Sequence, residues 1–245
     1  MTGDHIFYTG NGRIARVISA AAAKHLTPLT LELGGKSPVI VDSTADISIS
    51  AKRILYGKIN NCGQICVAPD FILAEKAIAP ALIDAFKEHY NSFFPDGALL
   101  SESYGRIVSD AHFERLKGLL AKTQGKTALG GKWESDGGRR GIEPTVLVDV
   151  NEDDVSLQEY VESPVQFRFT HRFSELFGPI LPILVVENVD EAISYISERY
   201  DTFSQRSSAI NIRLFRDHPL VLYAFSNNEA TKKKSSLALS CPFFL

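Results

Sequence analysis

Leu29-Thr30-Leu31-Glu32-Leu33-Gly34-Gly35-Lys36-Ser37-Pro38-Val39-Ile40-Val41 holds two short strand-forming runs parted by a glycine pair. Residues 30–33 read as a strand, Gly34-Gly35 as a turn, and residues 38–41, rich in β-branched side chains, as a second strand. Upstream, residues 5–9 form an apolar run that ends in Gly10-Asn11-Gly12. The next residues place Ile14, Val17, Ile18, Ala21 and Ala22 on one helical face, the spacing of a buried stripe. Four consecutive alanines at 20–23 add helix propensity, and Thr27-Pro28 stops the helix. Downstream, residues 46–59 predict a helix with Ile47, Ala51, Ile54, Leu55 and Ile59 along one side. An irregular stretch at 60–69 precedes a strand at 71–74. Helices over 76–93 (Ile78, Leu82, Phe86 and Phe93 inward) and 110–122 (Phe113, Leu116, Leu119 and Leu120 inward) follow. Strands fit 145–150, 183–187 and 220–226. Strands alternating with amphipathic helices imply an α/β fold layered around a largely parallel sheet.

Composition narrows the function classes. The 245 residues are 44% hydrophobic and 22% charged, an ordinary globular balance. A formal net charge of −3 gives no electrostatic reason to expect a nucleic-acid partner. No apolar run approaches the ~20 residues of a spanning helix, so no membrane span is expected and the expected location is cytoplasmic. Three cysteines, Cys62, Cys66 and Cys241, are too few and too unevenly spaced for a disulfide framework. The Cys62-x3-Cys66 pair has the wrong spacing for a zinc knuckle and no second ligand pair, so no metal site is expected. The run Lys232-Lys233-Lys234 reads as a solvated face.

Four segments could carry chemistry. The strand, glycine turn and helix at 7–24 would present backbone N–H groups and a helix N-terminus to a phosphate, although an ordinary strand-to-helix turn has the same outline. In the second, alternation puts Leu31 and Leu33 on one face of a strand and Glu32 on the other. Glu32 is therefore either a general base beside a flexible glycine pair or a solvent-facing glutamate on an edge strand. The third, Gly63-Gln64-Ile65-Cys66, sets Cys66 in a polar irregular stretch. There it is a candidate nucleophile, the alternative being a small buried hydrophobe; Cys62 has only the second reading. In the fourth, Glu175-Leu176-Phe177-Gly178-Pro179, a carboxylate and a ring precede an apolar strand. They could point into a cleft or belong to a plain turn.

Together these segments resemble the NAD(P)-dependent aldehyde dehydrogenase superfamily. The likeness lies in Tyr8-Thr9-Gly10-Asn11-Gly12, in Ala21-Ala22-Ala23-Lys24-His25-Leu26-Thr27-Pro28 and in the run from Leu29 to Pro38 quoted above. Gly63-Gln64-Ile65-Cys66 resembles the family's nucleophile motif and stands 34 residues beyond Glu32. Glu175-Leu176-Phe177-Gly178-Pro179 is similar to its E-x-F-G-P motif, and Asp217-His218-Pro219-Leu220 is also familiar. Residues 24–28 are closest to the class 3 branch, which includes fatty-aldehyde and fungal apocarotenal dehydrogenases. The resemblance implies a partial Rossmann cofactor domain at 1–38 followed by an α/β catalytic domain at 39–228. It implies NAD or NADP as cofactor, an aldehyde as substrate, and homo-oligomers for full-length members. Cys66 is the implied nucleophile, forming a thiohemiacetal and then a thioester that water activated by Glu32 hydrolyses. The Cys66 N–H is the implied oxyanion donor. Gly10 and Asn11 would lie beneath the cofactor phosphates, Leu33 and Gly34 against the nicotinamide, and Glu175 on its ribose with Phe177 nearby.

The chain departs from that pattern in places. Ala15 replaces the glycine usual in the phosphate turn. Family members are longer at both ends, which implies missing Rossmann strands before residue 7 and leaves residues 229–245 as an aberrant tail. Inserts at 160–174 and 199–215 interrupt the likeness, and untranslated sequence read through in a gene model would account for both. The alternative function is a catalytically silent fragment that associates with full-length relatives.

Overall fold

The computed structural model describes residues 4–135, 139–157, 175–200, 219–238 and 243–244. Cys241, Asp217, His218 and the insert at 160–174 lie outside them, as does the insert at 199–215 except for Arg199 and Tyr200.

The chain opens with strand β1 (Ile6–Thr9), helix α1 (Gly12–Ala23) and strand β2 (Leu29–Glu32). β1 and β2 pair in parallel, with Thr9 opposite Glu32, as a sheet of two strands. The predicted buried stripe of α1 is for the most part not buried. Ala15 and Ala22 are buried, while Ile14 and Val17 are exposed. A sheet only two strands wide covers a narrow strip of the helix, and small side chains fill it.

The main sheet holds seven strands in the order β11-β10-β3-β4-β9-β8-β5. They are β3 (Pro38–Val41), β4 (Phe71–Glu75), β5 (Lys126–Leu129), β8 (Thr145–Val148), β9 (Ile180–Val186), β10 (Val221–Phe225) and β11 (Phe243–Phe244). Every pairing is parallel except β5 with β8, so the expected largely parallel sheet is present. β6 (Trp133–Glu134) and β7 (Gly141–Ile142) make a small antiparallel ribbon of their own.

The helices that follow α1 among the described residues are α2 (Ile47–Ile59), α3 (Ala79–Phe93), α4 (Asp110–Lys122), α5 (Val189–Tyr200) and α6 (Glu229–Ala238). α2 packs on α3, and α5 lies on β3 and β9. The core joins Val39, Ile40 and Val41 of β3 to Ile72 and Leu73 of β4, Ala51, Ile54 and Leu55 of α2, and Leu82 and Phe86 of α3. Central strands covered on both faces read as unbroken apolar runs, as β3 and β4 do. The predicted helix over 76–93 begins three residues late, at Ala79, because Ile78 N–H closes a turn onto Glu75 O (3.0 Å) before the helix starts. The stretch set apart as a tail supplies α6 and the edge strand β11.

Candidate active site

Three loops meet at one edge of the sheet because β3, β4 and β9 are adjacent and parallel, with Pro38 opposite Phe71 and Ile72 opposite Ile183. Gly34, Gly35, Lys36 and Ser37 lead into β3, the turn around Cys66 leads into β4, and residues 175–179 lead into β9. Asp70, 2% exposed, ties them together. Its Oδ2 accepts the Ser37 N–H (3.2 Å) and its Oδ1 the Leu176 N–H (2.8 Å), while its own N–H donates to Ser37 O (2.9 Å). Arg115 of α4 donates from Nη2 to Leu176 O (2.6 Å). This clasp presses the Glu175 carboxylate onto Gly34. A Cβ at position 34 would stand 2.5 Å from Glu175 Cδ and Oε1, so only glycine permits the approach.

The nucleophile turn follows α2. Residues Asn60–Gly63 form a kinked turn in which Asn61 (φ 48°) and Cys62 (φ 55°) are left-handed, as is Gly63 (φ 69°). Left-handed backbone costs non-glycine residues roughly 1–2 kcal/mol each, so the turn persists only where its surroundings enforce it. A Cβ on Gly63 would lie 2.8 Å from the Gly178 carbonyl carbon, which draws the Glu175 loop against the turn. Cys66 is half-buried in a reverse turn closed by Ala68 N–H to Ile65 O (2.9 Å). Beside it the Tyr223 hydroxyl donates to Val67 O (2.6 Å). The Tyr223 pKa is raised by burial and then by the neighbouring Cys66 charge. Cys62 is fully buried, and burial pushes its thiol up to about 11 against the opposing effects of the Tyr104 hydroxyl and Arg106. Of the two, Cys66 is the accessible thiol.

Charge gathers beneath these loops. Lys36 and Lys58 are each 1% exposed. Burial brings the Lys58 ammonium down to about 8, Asp70 and Glu175 oppose that fall, and Lys36 and Arg115 add to it. On the far side of Gly34, Leu33 is half-buried and Glu32 is exposed at the end of β2. Among the described residues no hydrogen bond joins Glu32 to Cys66. At the start of α1 the Asn11 side chain accepts the Ile14 N–H (3.0 Å), and Gly10 N–H donates to Glu32 O (3.0 Å). Arg16 lies over the same turn, since a Cβ on Gly12 would be 3.2 Å from its Nη1. Phe177 is left-handed (φ 46°) and half-buried, its ring 6.4 Å from that of His112.

The structure therefore gathers Gly34, Glu175 and Phe177 around the loop that follows Cys66, while Gly10, Asn11 and Glu32 stand together where β1 and β2 end. Sequence reasoning missed Asp70, Lys58, Gln64 and Arg16. Lys58 left a signal, being a cation on the same helical face as Ile54 and Leu55. Asp70 also left one, as a carboxylate immediately before an apolar strand.

The model of the aldehyde dehydrogenase family matches residues 2–199. The chain belongs to that family. A rat aldehyde dehydrogenase described as dimeric and NADP-preferring is 42% identical over 231 residues, covering 94% of this chain and 43% of the rat protein. Mouse aldehyde dehydrogenase family 3 member A2 is 41% identical over 231 residues, covering 94% of this chain and 40% of its own. The solved substrate-bound state of Staphylococcus aureus AldH superposes with a TM-score of 0.82 at 37% identity, covering 99% of this chain and 45% of that one. The class 3 likeness expected from residues 24–28 is thus shown, and this aldehyde dehydrogenase chain spans less than half the length of the relatives it matches. Among its described residues no helix is long and apolar enough to cross a membrane.

Proposed function

We propose that the chain carries the thiol chemistry of aldehyde oxidation, taking an aldehyde to a carboxylic acid with NAD or NADP as oxidant. The observation that carries this reading is the Glu175 carboxylate laid on the bare α-carbon of Gly34, while Gly178 of the same loop abuts Gly63, three residues before the half-buried Cys66. Residues 1–38 supply the cofactor side and residues 39–228 the thiol side. Gly10 and Asn11 suit the cofactor phosphates, and the Arg16 guanidinium over Gly12 gives that turn the charge an anion needs. In this reading Leu33 and Gly34 lie against the nicotinamide, Glu175 accepts hydrogen bonds from its ribose hydroxyls, and Phe177 stands nearby. When bound, the nicotinamide supplies the hydride acceptor.

The remaining chemistry belongs to the protein. Cys66 Sγ, as thiolate, adds to the aldehyde carbon, and the Cys66 N–H donates to the oxyanion that forms. Loss of hydride from this adduct leaves a thioester on the same sulfur. Glu32, exposed at the end of β2, takes a proton from the water that attacks the thioester, releasing the acid and the Cys66 thiolate. Mixing the chain with NAD and an aldehyde should give a burst of NADH that Cys66→Ser abolishes. No burst from the unaltered chain sinks this reading. A second reading, association with a longer relative, is favoured by the exposure of Phe7, Ile14, Val17 and Leu26 around β1 and α1. Retained association with no burst would select it.

A further inference from the structure

Gln64 lies within the nucleophile motif, two residues before Cys66, and the oxidation chemistry leaves it without a role. It is 8% exposed, and its carboxamide reaches two separate parts of the chain. Nε2 donates to Asn61 O (3.0 Å) and to Arg106 O (3.0 Å), while Oε1 accepts the Val108 N–H (2.9 Å). Its main chain binds the same turn, with Gln64 N–H donating to Asn61 O (3.1 Å) and Asn61 Nδ2 donating to Gln64 O (3.0 Å). The far anchor is itself fixed. Arg106 donates to Tyr104 O (2.8 Å), Gly105 O (3.0 Å) and Leu99 O (2.8 Å). Between these anchors lie three consecutive left-handed residues, Asn61, Cys62 and Gly63, two of them carrying side chains that disfavour this conformation. Such backbone relaxes unless outside contacts hold it.

We propose that Gln64 is a positioning residue for Cys66: its carboxamide binds the left-handed turn at 61–63 to the 106–108 segment and so fixes the direction in which the chain presents the Cys66 sulfur. A carboxamide suits this task because one side chain donates twice and accepts once in a single plane. An apolar residue of equal length fills the same space and makes none of these bonds. The inference rests on Cys66 being the reactive thiol, but its test reads the turn rather than turnover.

The test labels the chain with iodoacetamide and measures modification at Cys62 and Cys66 by peptide mass spectrometry, from about pH 7 to about pH 11. In the unaltered chain Cys62, buried beside Tyr104 in the held turn, should label about a hundredfold more slowly than Cys66 near pH 8. Equal labelling of the two thiols overturns the proposal. In Gln64→Met the turn relaxes, the ratio of Cys66 to Cys62 labelling falls about tenfold, and the Cys62 labelling midpoint moves down toward that of an ordinary thiol. A folded Gln64→Met chain with both readouts unchanged overturns it too. If that variant shows no cooperative melt, Gln64→Glu keeps an acceptor for the Val108 N–H, loses both donated bonds to Asn61 O and Arg106 O, and should move both readouts the same way. No movement there counts against the proposal. Absence of an NADH burst with this labelling pattern intact would remove the oxidation reading and leave the role of Gln64 in place.

Discussion

Lys58 puts an ammonium where α2 meets the core, and the free-energy consequence has a definite sign. Its pKa falls from 10.5 to about 8 on folding, chiefly through burial. Below that lower value the lysine is charged in both states, and the folded state bears the full desolvation cost. Between the two values the unfolded chain holds a proton that the folded chain has released, so this group makes stability rise with pH. Above 10.5 the cost is gone. A drop from 10.5 to about 8 corresponds to about 3 kcal/mol. We therefore expect Lys58→Met to be more stable than the unaltered chain at neutral pH, with an advantage that shrinks by about 3 kcal/mol as the pH climbs past 10.5. Urea denaturation of both proteins across that range measures it. Cys62 and Tyr104, whose pKa values are raised, act in the opposite direction, but they are common to both proteins and cancel in the difference. The sequence showed Lys58 only as a cation on an apolar helix face. The charges that act on it, at positions 36, 70, 115 and 175, come from other segments of the chain and are invisible until those segments meet.

At the scale of single elements, the helix starts follow capping chemistry that is readable in the chain. Asp46 accepts the Ile49 N–H (2.9 Å) at the start of α2, and Asn11 does the same for Ile14 (3.0 Å) at the start of α1. Loss of such a cap costs about 1 kcal/mol, yet the two helices should report it differently. α2 packs on α3 over the main sheet, so Asp46→Ala should lower global stability by about 1 kcal/mol in a denaturant melt. α1 rests on a separate sheet of two strands, so Asn11→Ala should appear as faster amide exchange within α1 while the global midpoint stays put. An equal loss of global stability in both variants would refute the distinction. The inner faces of α2, α3 and α4 were legible from spacing, and Ala51, Ile54, Leu55, Leu82, Phe86, Phe113 and Leu116 are all buried. The stripe on α1 was not, because periodicity marks which residues share a face and is silent on how much surface lies opposite to cover it. β5, β6, β7 and β11 also escaped, being strands of two to four residues with too little alternation to register.

For the whole molecule, the arrangement of sheets predicts a gradient of stability. The central strands β3, β4 and β9 are buried and flanked on both sides, whereas among the described residues β1 pairs only with β2 and leaves Phe7 66% exposed. Hydrogen exchange followed by mass spectrometry should show β1, α1 and β2 opening well before the central strands exchange. Uniform protection across both sheets would contradict this. The amino-acid order alone determined the α/β alternation, the side-chain-capped starts of α1, α2 and α4, the glycine pair, and the residue types able to attack a carbonyl or hold a cofactor, since each depends on neighbours a few positions apart. Only the tertiary structure decided which strands lie side by side, and with that which loops share an edge. Parallel pairing of β3, β4 and β9 brings Ser37, Asp70 and Leu176 within hydrogen-bond reach across more than a hundred residues of chain. Strand order is set by the balance of buried area and loop closure over the entire fold, a quantity that no local stretch of sequence contains.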